Sequence, residues 1–418
     1  MNHYKKIARN FQTYDIFLSS LTARDKEIAL SLKMMYAIHM ENNKERGLGF
    51  GLKQIARFVF KLLTIPFVRN VLKSNEPSHP HIILANSATE QLISEKLPVS
   101  QVRIGIQPRP NPKTRHIYKE LFHLIRIYQK TDGLNKRYIV LLLHRIIDYL
   151  LVYHTIALNE TEVICIENDR DPKNLALIHQ AKIHGVRTIK YDNWLIDPVH
   201  HNDIYCDTYF YPSIYHKNII EQFDTNAALR YLEGGFVSWD VLDAYAHHPD
   251  MDRDRVVYFT QFGIDLSQHR GYIEDILRVL DRREQPYEFI IKVHPREDST
   301  VYQAIVQQYP FVRVVKQCDD VYALISSATY CFSVFSTISL EAKHIMKHSY
   351  FINYDYHDFT LVDYDKIGLD LVKSREKIED IFSGTVIPVD KTIFIQQNNC
   401  SYPHTLMKLE EILNHAVS

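Results

Sequence analysis

The strongest indication of chemistry lies in the segment Phe289–Asp298, FIIKVHPRED. Its apolar run predicts a buried strand, and Pro295 ends that strand because proline cannot continue a strand ladder. The strand end therefore gathers Lys292, His294 and Arg296. A histidine in such a place can donate to a phosphate oxygen or protonate a leaving group. The alternative is an ordinary turn whose histidine is satisfied by its neighbours.

The segment Thr329–Ile345, TYCFSVFSTISLEAKHI, supplies a second group of polar side chains. Its strand ends in Ser333, and Ser336 and Thr337 open the helix that follows. A helix N-terminus binds anions because its free N–H groups and its dipole are positive, and the hydroxyls add further donors. Glu341 lies one turn further along, where it can accept hydrogen bonds from sugar or ribose hydroxyls. The competing interpretation is that Ser336 is an ordinary helix cap.

The two segments together resemble the C-terminal domain of bacterial surface-polysaccharide transferases of the GT-B fold. In sialyltransferases, polysialyltransferases and Kdo transferases an HP motif is followed some forty residues later by a Ser or Ser-Ser/Thr motif. In this sequence Ser336 follows His294 by 42 residues. The resemblance covers roughly Val256–Asn353, and teichoic-acid polyol-phosphate transferases share a similar pattern. It implies that His294, Ser336 and Thr337 contact the phosphate of a nucleotide-sugar donor, with His294 as a possible general acid.

The resemblance also gives a role to the loop TQFG, Thr260–Gly263, which ends the first strand of this half. The corresponding loop of GT-B proteins faces the donor phosphates, so Thr260 and Gln261 join the expected donor-binding residues. Lys292 and Pro295 are expected there with the HP motif, and Ser333 with the serine motif. Gly263 permits close approach of the backbone. An ordinary turn between strand and helix is the alternative.

An acceptor-side base is expected in the N-terminal half, because an inverting transfer needs one carboxylate to take the acceptor proton. Sialyltransferase-like enzymes carry an acidic pair followed by glycine at a strand end. The two strand ends that compare with it are IENDRD, with Asp169, and KYDNW, with Asp192, and neither has the glycine. Asp192 resembles the position by order along the chain, and Asn193 and Trp194 after it are expected to bind the acceptor. Asp169 is an equal competitor.

The elements that must position these residues alternate between strands and helices. Strand Val163–Asn168, helix Leu175–His184, Gly185 as a helix C-cap and strand Val186–Tyr191 form a βαβ unit, which requires a parallel sheet. The pattern starts again at strand Val256–Gln261 and predicts a second doubly wound sheet. Its expected helices are Tyr272–Arg283, Thr300–Gln308, Val321–Ser326 and Ile338–Lys347.

The predicted fold class is therefore α/β of the GT-B type, with two Rossmann-like domains facing each other across a cleft and extra N-terminal helices. Residues 1–235 form the expected acceptor domain, 236–253 a linker and 254–395 the nucleotide-donor domain. Residues 396–418 contain a helix that is expected to pack back on the first domain. Ligands in such sheets bind at the carboxyl ends of the strands.

Composition narrows the class of protein. The 418 residues include 49 basic and 50 acidic side chains, so the net charge of −1 gives no argument for nucleic acid. The five cysteines form no CxxC motif and fit reduced thiols. The first residues lack the apolar core of a signal peptide, and no stretch reaches the ~18 apolar residues of a spanning helix. We expect a cytoplasmic protein.

One segment suggests contact with a membrane surface. Residues 52–73 contain five basic and no acidic residues, beside an apolar side that includes Ile55, Phe58 and Leu62. Such an amphipathic segment can rest on the inner face of an anionic cytoplasmic membrane. A buried helix with a solvated basic face, broken at Pro66, is the alternative.

The sequence thus predicts a glycosyltransferase that moves a sugar to a capsule, lipopolysaccharide or related surface glycan. The best-matching donor is a CMP-linked sialic or other nonulosonic acid, or CMP-Kdo. The alternatives are a UDP- or GDP-sugar, a CDP-polyol phosphate, or a glycan-binding scaffold without turnover. No cofactor or metal is expected, because the pairs His200–His201 and His247–His248 lack the spacing and cysteine partners of a zinc site.

Overall fold

The computed structural model describes the two sheets of the chain and most of the helices around them. The described residues are 82–84, 102–104, 119–123, 126, 136–156, 158, 161–169, 171–192, 204–223, 228–236, 239, 242, 244–245, 254–262, 264–283, 287–334, 336–345, 348–354, 370–386 and 411–412.

The first sheet contains six described strands, all parallel, in the order β2-β1-β3-β4-β5-β6. Its strands are β1 (Ile82–Leu84), β2 (Val102–Ile104), β3 (Val163–Ile166), β4 (Arg187–Tyr191), β5 (Thr208–Tyr211) and β6 (Arg230–Glu233). The helices of this half are α1 (Lys136–Thr155), α2 (Pro172–His184) and α3 (Ile214–Phe223). The order reverses between β1 and β3, so the crevice of this sheet opens there.

The βαβ unit β3–α2–β4 follows from local sequence signals. The Asp171 side chain caps α2 by accepting from the Lys173 N–H at 3.0 Å, and proline is tolerated at the first helical position because its missing N–H has no helical partner. Gly185 ends the helix with a φ of 70°, a conformation that costs glycine little. All four β3 residues are buried, as expected for a strand covered on both faces.

The second sheet also has six described parallel strands, in the order β12-β11-β10-β7-β8-β9. Its strands are β7 (Arg255–Phe259), β8 (Glu288–Lys292), β9 (Val312–Val315), β10 (Tyr330–Ser333), β11 (Ser349–Ile352) and β12 (Leu371–Val372). Its helices are α4 (Leu266–Leu280), α5 (Gln303–Gln308), α6 (Val321–Ser326), α7 (Thr337–Ile345) and α8 (Glu376–Ser383), and a 3-10 turn spans Ser299–Tyr302. This is the strand order of a dinucleotide-binding Rossmann sheet, with its reversal between β7 and β10.

Two apolar layers cover the faces of the second sheet. Val256 and Tyr258 belong to a buried cluster with side chains of α4 and α8. The alternating residues Val257 and Phe259 belong to a second cluster with side chains of α6 and α7. The period of two along β7 therefore places helices on opposite faces, as a doubly wound sheet requires.

The described part of the predicted linker packs on the second sheet. Phe236 stacks on the fully buried Trp239 with ring centroids 4.4 Å apart, and both join the α6–α7 cluster. The Tyr245 hydroxyl donates to an oxygen of Asp320 at 2.7 Å, and Asp320 caps α6. The segment after β6 is thus anchored to the second domain.

The prediction of two parallel α/β sheets is confirmed, with differences at the ends of elements. Helix α4 begins at Leu266 rather than Tyr272, because Asp265 caps it by accepting from the Ser267 N–H. Strands β6 and β12 and helix α8 were not predicted. The domain boundaries at 235, 253 and 395 stay predictions.

Several predictions fall outside the described residues. These are the N-terminal helices, the basic segment 52–73, both histidine pairs, Asn193, Trp194, Gly263 and most of the helix in 396–418. None of the helices that the structure describes is long and apolar enough to cross a bilayer.

Candidate functional site

The carboxyl edge of the second sheet brings the predicted donor-binding segments together. Phe259 of β7 pairs with Ser333 of β10 on one side and with Lys292 of β8 on the other. The residues that follow these three strand ends, among them Thr260 and His294, therefore lie around the crevice where the strand order reverses.

A short hydrogen-bonded network fixes the HP turn against β7. The His294 N–H donates to the Thr260 Oγ1 at 2.9 Å, and the Thr260 hydroxyl donates to Glu297. The Glu297 N–H returns to the His294 carbonyl at 2.9 Å, and Pro295 lies exposed within this turn. Thr260, predicted to bind the donor, thus positions His294 through its buried hydroxyl.

The protonation of the His294 ring follows from its neighbours. The Arg296 N–H donates to Nδ1 at 3.2 Å, so in the neutral ring the proton sits on Nε2. Burial lowers the pKa of His294, with Arg296 and Lys292 acting in the same direction and Glu297 against them. Phe262 stacks on the ring with centroids 6.0 Å apart. His294 is therefore a neutral, oriented hydrogen-bond donor.

Sequence reasoning missed a second histidine behind the turn. His269 of α4 is fully buried, and its Nε2 lies 3.0 Å from the Gln261 backbone nitrogen and 3.1 Å from the Gln261 carbonyl. Its Nδ1 lies 2.8 Å from the Tyr258 hydroxyl. Burial lowers the pKa of His269. His269 thus holds the loop that contains Gln261, and its position one turn after the Asp265 cap was the available signal.

The Lys292 side chain contacts backbone carbonyls at the ends of two neighbouring strands. Its amine donates to the carbonyls of Val293 at 3.1 Å and Lys316 at 3.0 Å, so it ties the end of β8 to the end of β9. Burial lowers the pKa of Lys292. Its contribution to donor binding stays a prediction.

The N-terminus of α7 lies at the end of β10 and is capped by serine. The Ser336 Oγ accepts from the Ile338 N–H at 3.3 Å, and the Ser336 carbonyl accepts from the Ser339 N–H at 3.0 Å. Ser333 is fully buried and hydrogen-bonds the Ser339 hydroxyl, which fixes the strand to the helix. The Thr337 hydroxyl makes no hydrogen bond to any residue that the structure describes. The first turn of α7 therefore offers unused donors to an anion.

Glu341 is an unpaired acid one turn into α7. Its half-buried carboxyl has no hydrogen-bond or ion-pair partner among the described residues. Burial raises its pKa to about 7. Perturbed acids of this kind are concentrated at functional sites.

The two predicted base carboxylates lie inside a buried charge cluster of the first sheet. Asp192 is fully buried and accepts from the Lys190 amine at 2.7 Å and from the Tyr209 hydroxyl at 2.7 Å. Asp169 accepts from the Tyr205 N–H at 2.9 Å through one oxygen, and its other oxygen lies 3.6 Å from the Lys190 amine. Both carboxylates are therefore held within the sheet edge rather than presented at its surface.

Lys190 is the cation that compensates the two buried carboxylates of this cluster. Its amine also donates to the Glu167 carbonyl at 3.1 Å. Burial lowers the pKa of Lys190, but Asp192 and Asp169 outweigh that effect and leave the pKa above its usual value. The third acid of this strand end, Asp171, caps α2 as described above and lies 3.4 Å from Arg145.

No cluster of three or more metal-ligating side chains occurs among the described residues.

No protein-family model matches the chain, and no curated protein matches it. Solved structures do match. UDP-GlcNAc 2-epimerase from Methanocaldococcus jannaschii is similar with a TM-score of 0.50 and 12% identity, over 80% of this chain and 99% of the other. The UDP-GlcNAc 2-epimerase from Neisseria meningitidis, bound to UDP-GlcNAc, is similar with a TM-score of 0.50 and 12% identity, over 80% of this chain and 99% of the other. MnaA from S. aureus, solved with UDP, is similar with a TM-score of 0.50 and 11% identity, over 81% of this chain and 95% of the other.

The chain has the GT-B fold. The likeness extends over both Rossmann-like sheets, since it spans at least four-fifths of the chain. At this identity it establishes the fold alone. The chemistry of this GT-B protein must be argued from its own residues.

Proposed function

We propose that this GT-B protein is a glycosyltransferase that binds the phosphate of a nucleotide sugar at the carboxyl edge of its second sheet. The observation that carries the proposal is the pairing of a neutral histidine with an anion-binding helix terminus at one strand-order reversal. His294 presents Nε2–H there, Ser336 caps α7, and the hydroxyl of Thr337 has no partner among the described residues.

These groups suit a phosphate leaving group. Transfer breaks the bond between the anomeric carbon and the phosphate oxygen, and negative charge develops on that oxygen. The Nε2–H of His294 and the donors of the α7 terminus stabilise that charge without a metal in this proposal. Glu341, one turn deeper, accepts from ribose or sugar hydroxyls.

The acceptor hydroxyl attacks the anomeric carbon and gives its proton to a carboxylate of the first domain. Of the two predicted residues, the contacts favour Asp169. It follows β3 at the reversal of the first sheet, and one of its oxygens makes only a 3.6 Å ion pair with Lys190. Both oxygens of Asp192 accept hydrogen bonds.

The proposed donor is a CMP-linked nonulosonic acid or CMP-Kdo, on the strength of the HP and serine motifs. A UDP-sugar is the second candidate, because two of the similar solved structures hold UDP or UDP-GlcNAc. The acceptor is a surface glycan or glycolipid, reached from the cytoplasmic face of the membrane. The basic segment 52–73 is the proposed contact with that face.

Turnover of nucleotide sugars by the full chain tests the proposal. CMP-sialic acid, CMP-Kdo, UDP-GlcNAc and GDP-mannose are incubated singly with the protein, and released nucleotide and sugar are quantified by chromatography and NMR. We expect one donor to be hydrolysed slowly without acceptor. Thr337→Ala should lower the rate about 10-fold or more, because a hydrogen bond to a charged group contributes about 1.5–3 kcal/mol.

Thr385→Ala is the matched control, since Thr385 is an exposed threonine just after the C-terminus of α8. It should keep the wild-type rate. If only a UDP-sugar is consumed, the proposed site stands and the proposed CMP-linked donor is wrong. An altered sugar still attached to its nucleotide would indicate epimerisation and contradict transfer. If no nucleotide sugar is consumed, the result favours a glycan-binding scaffold without turnover.

A further inference from the structure

A cavity on the α4–α8 face of the second sheet is not used by the proposed function. Its volume is about 400 Å³, which is within the range of small-molecule sites. It is lined by the N-terminal half of α4, by Tyr354 after β11 and by Arg375 before α8. The side chains of α4 and α8 belong to the opposite apolar layer from those of α7, so the cavity and the α7 terminus lie on different faces of the sheet.

Gly271 provides the room in this cavity. It lies within α4, where glycine is less favourable than alanine because it loses more backbone freedom on folding. A Cβ built on Gly271 would meet no atom within 4 Å, so protein packing does not require the glycine. The position therefore leaves open space that an alanine would also leave and that a large side chain would fill.

Tyr354 brings an unused polar group to the same space. Its hydroxyl is buried beside the Asp275 carboxyl and makes no well-directed hydrogen bond to any residue within the described part of the chain. Its ring packs edge-on against the buried Tyr272 with centroids 4.9 Å apart. Incomplete hydrogen bonding of a buried hydroxyl is unfavourable, and a ligand hydroxyl would supply a better-directed partner.

Asp275 and Arg375 in the cavity lining compensate each other's charge. Asp275 lies 2.8 Å from the Arg375 guanidinium and 3.0 Å from that of Arg278. Asp265 is engaged as the cap of α4. The Gln268 amide donates to the Tyr272 hydroxyl, which leaves its oxygen as an acceptor. The lining thus interleaves donors and acceptors with aromatic surface, and the negative charge of Asp265 disfavours an anionic ligand.

We propose that this cavity binds a neutral saccharide unit, with Gly271 leaving room for the ring and Tyr354 hydrogen-bonding one of its hydroxyls. A sugar both donates and accepts at adjacent positions, which matches the Tyr354 hydroxyl, the Gln268 oxygen and the remaining N–H groups of Arg375. The cavity lies on the face of the sheet opposite to α7, and the proposal does not depend on the identity of the donor.

Saturation-transfer NMR on the full chain tests this site. Glucose, galactose, mannose and N-acetylglucosamine are presented singly at millimolar concentration, and glucuronic acid serves as the charged counterpart. We expect a signal from at least one neutral sugar. Gly271→Leu should abolish it by filling the cavity, Gly271→Ala should retain it, and Tyr354→Phe should weaken binding about tenfold.

The nucleotide response separates this proposal from the proposed function. Thermal stabilisation of the protein by nucleotide should survive in Gly271→Leu, and His294→Ala should leave the sugar signal unchanged. The proposal is overturned if no neutral sugar binds, if glucuronic acid binds more tightly, or if nucleotide displaces the sugar. Should Gly271→Leu not fold, undiminished binding in Tyr354→Phe overturns it as well.

Discussion

His294 is held in one orientation by contacts on both sides of its backbone and ring. Thr260 accepts from its N–H, and the Arg296 N–H occupies Nδ1. Because burial lowers its pKa below the ordinary 6.5, the ring is neutral from about pH 6.5 to 8 and binds phosphate as a hydrogen-bond donor rather than as a cation.

This predicts the pH dependence of nucleotide binding. His294→Gln retains a donor near Nε2 and should bind more tightly than His294→Ala, which should lose about 10- to 100-fold in affinity. The ratio of wild-type to Gln affinity should stay constant between about pH 6.5 and 8, measured by calorimetry. A ratio that rises as pH falls through this range would mean that His294 binds as the imidazolium.

Lys190 offers a prediction on stability. Lys190→Met would leave Asp169 and Asp192 buried without a cation, and removing one partner of a buried pair costs about 3–5 kcal/mol. Urea unfolding should show this loss, while Lys173→Met, at an exposed lysine of α2, should change stability by less than about 0.5 kcal/mol. Unchanged stability of Lys190→Met would show that the cluster is hydrated in solution.

Glu341 predicts a pH-dependent term in stability. Folding raises the pKa of Glu341 from 4.5 to about 7. Between these pH values the folded protein holds the proton and the unfolded chain releases it, so the protein loses stability as the pH rises from 4.5 to about 7. Glu341→Gln should remove that loss. Its stability advantage over wild type should grow from about pH 4.5 to about 7, up to about 3 kcal/mol, in thermal melts. A constant difference would contradict the burial of this acid.

At the scale of elements, the end of β6 depends on a close approach. Gly234 follows β6, and a Cβ there would overlap the ring of the fully buried Phe210. Gly234→Ala should therefore cost about 1–3 kcal/mol by overpacking. Gly271→Ala, where nothing lies within 4 Å, should instead stabilise α4 by about 0.5–1 kcal/mol. Equal effects of the two changes in urea unfolding would contradict this contrast.

Elements that carry their own signals were predictable from the sequence. The apolar runs of β3 and β7 and the Gly185 cap are local patterns, and the strands and the βαβ unit follow from them. Strand β6 was not predictable, because its residues are only partly buried and its edge position is fixed by pairing with β5. The two-residue strand β12 depends in the same way on β11.

The site residues also fall into those with a local sequence signal and those without one. His294, Ser336 and Thr337 lie within short segments that end strands, so their types and spacing indicated the crevice. Glu297 acts through Thr260, 37 residues before it, and His269 acts through the backbone of Gln261, 8 residues before it. In both cases the fold brings the partners together. The burial of Asp192 beside Lys190 is likewise a tertiary fact that strand order alone could not provide.

At the scale of the whole molecule, the GT-B fold joins two sheets whose edges differ in character. The edge of the second sheet gathers hydrogen-bond donors around a helix terminus, whereas the described edge of the first sheet buries its acids with Lys190. The nucleotide is therefore expected to bind the second domain by itself. Acceptor binding falls to the first domain in the proposed function.

The measurement that tests this most directly is a thermal-shift screen of the full chain with CMP, CDP, UDP and GDP, on wild type, His294→Ala and His184→Ala. One nucleotide at 100 times its dissociation constant should stabilise wild type and the exposed-histidine control His184→Ala by about 2.7 kcal/mol. His294→Ala should lose the shift. Stabilisation by no nucleotide, or an equal shift in His294→Ala, would contradict a donor site at this edge.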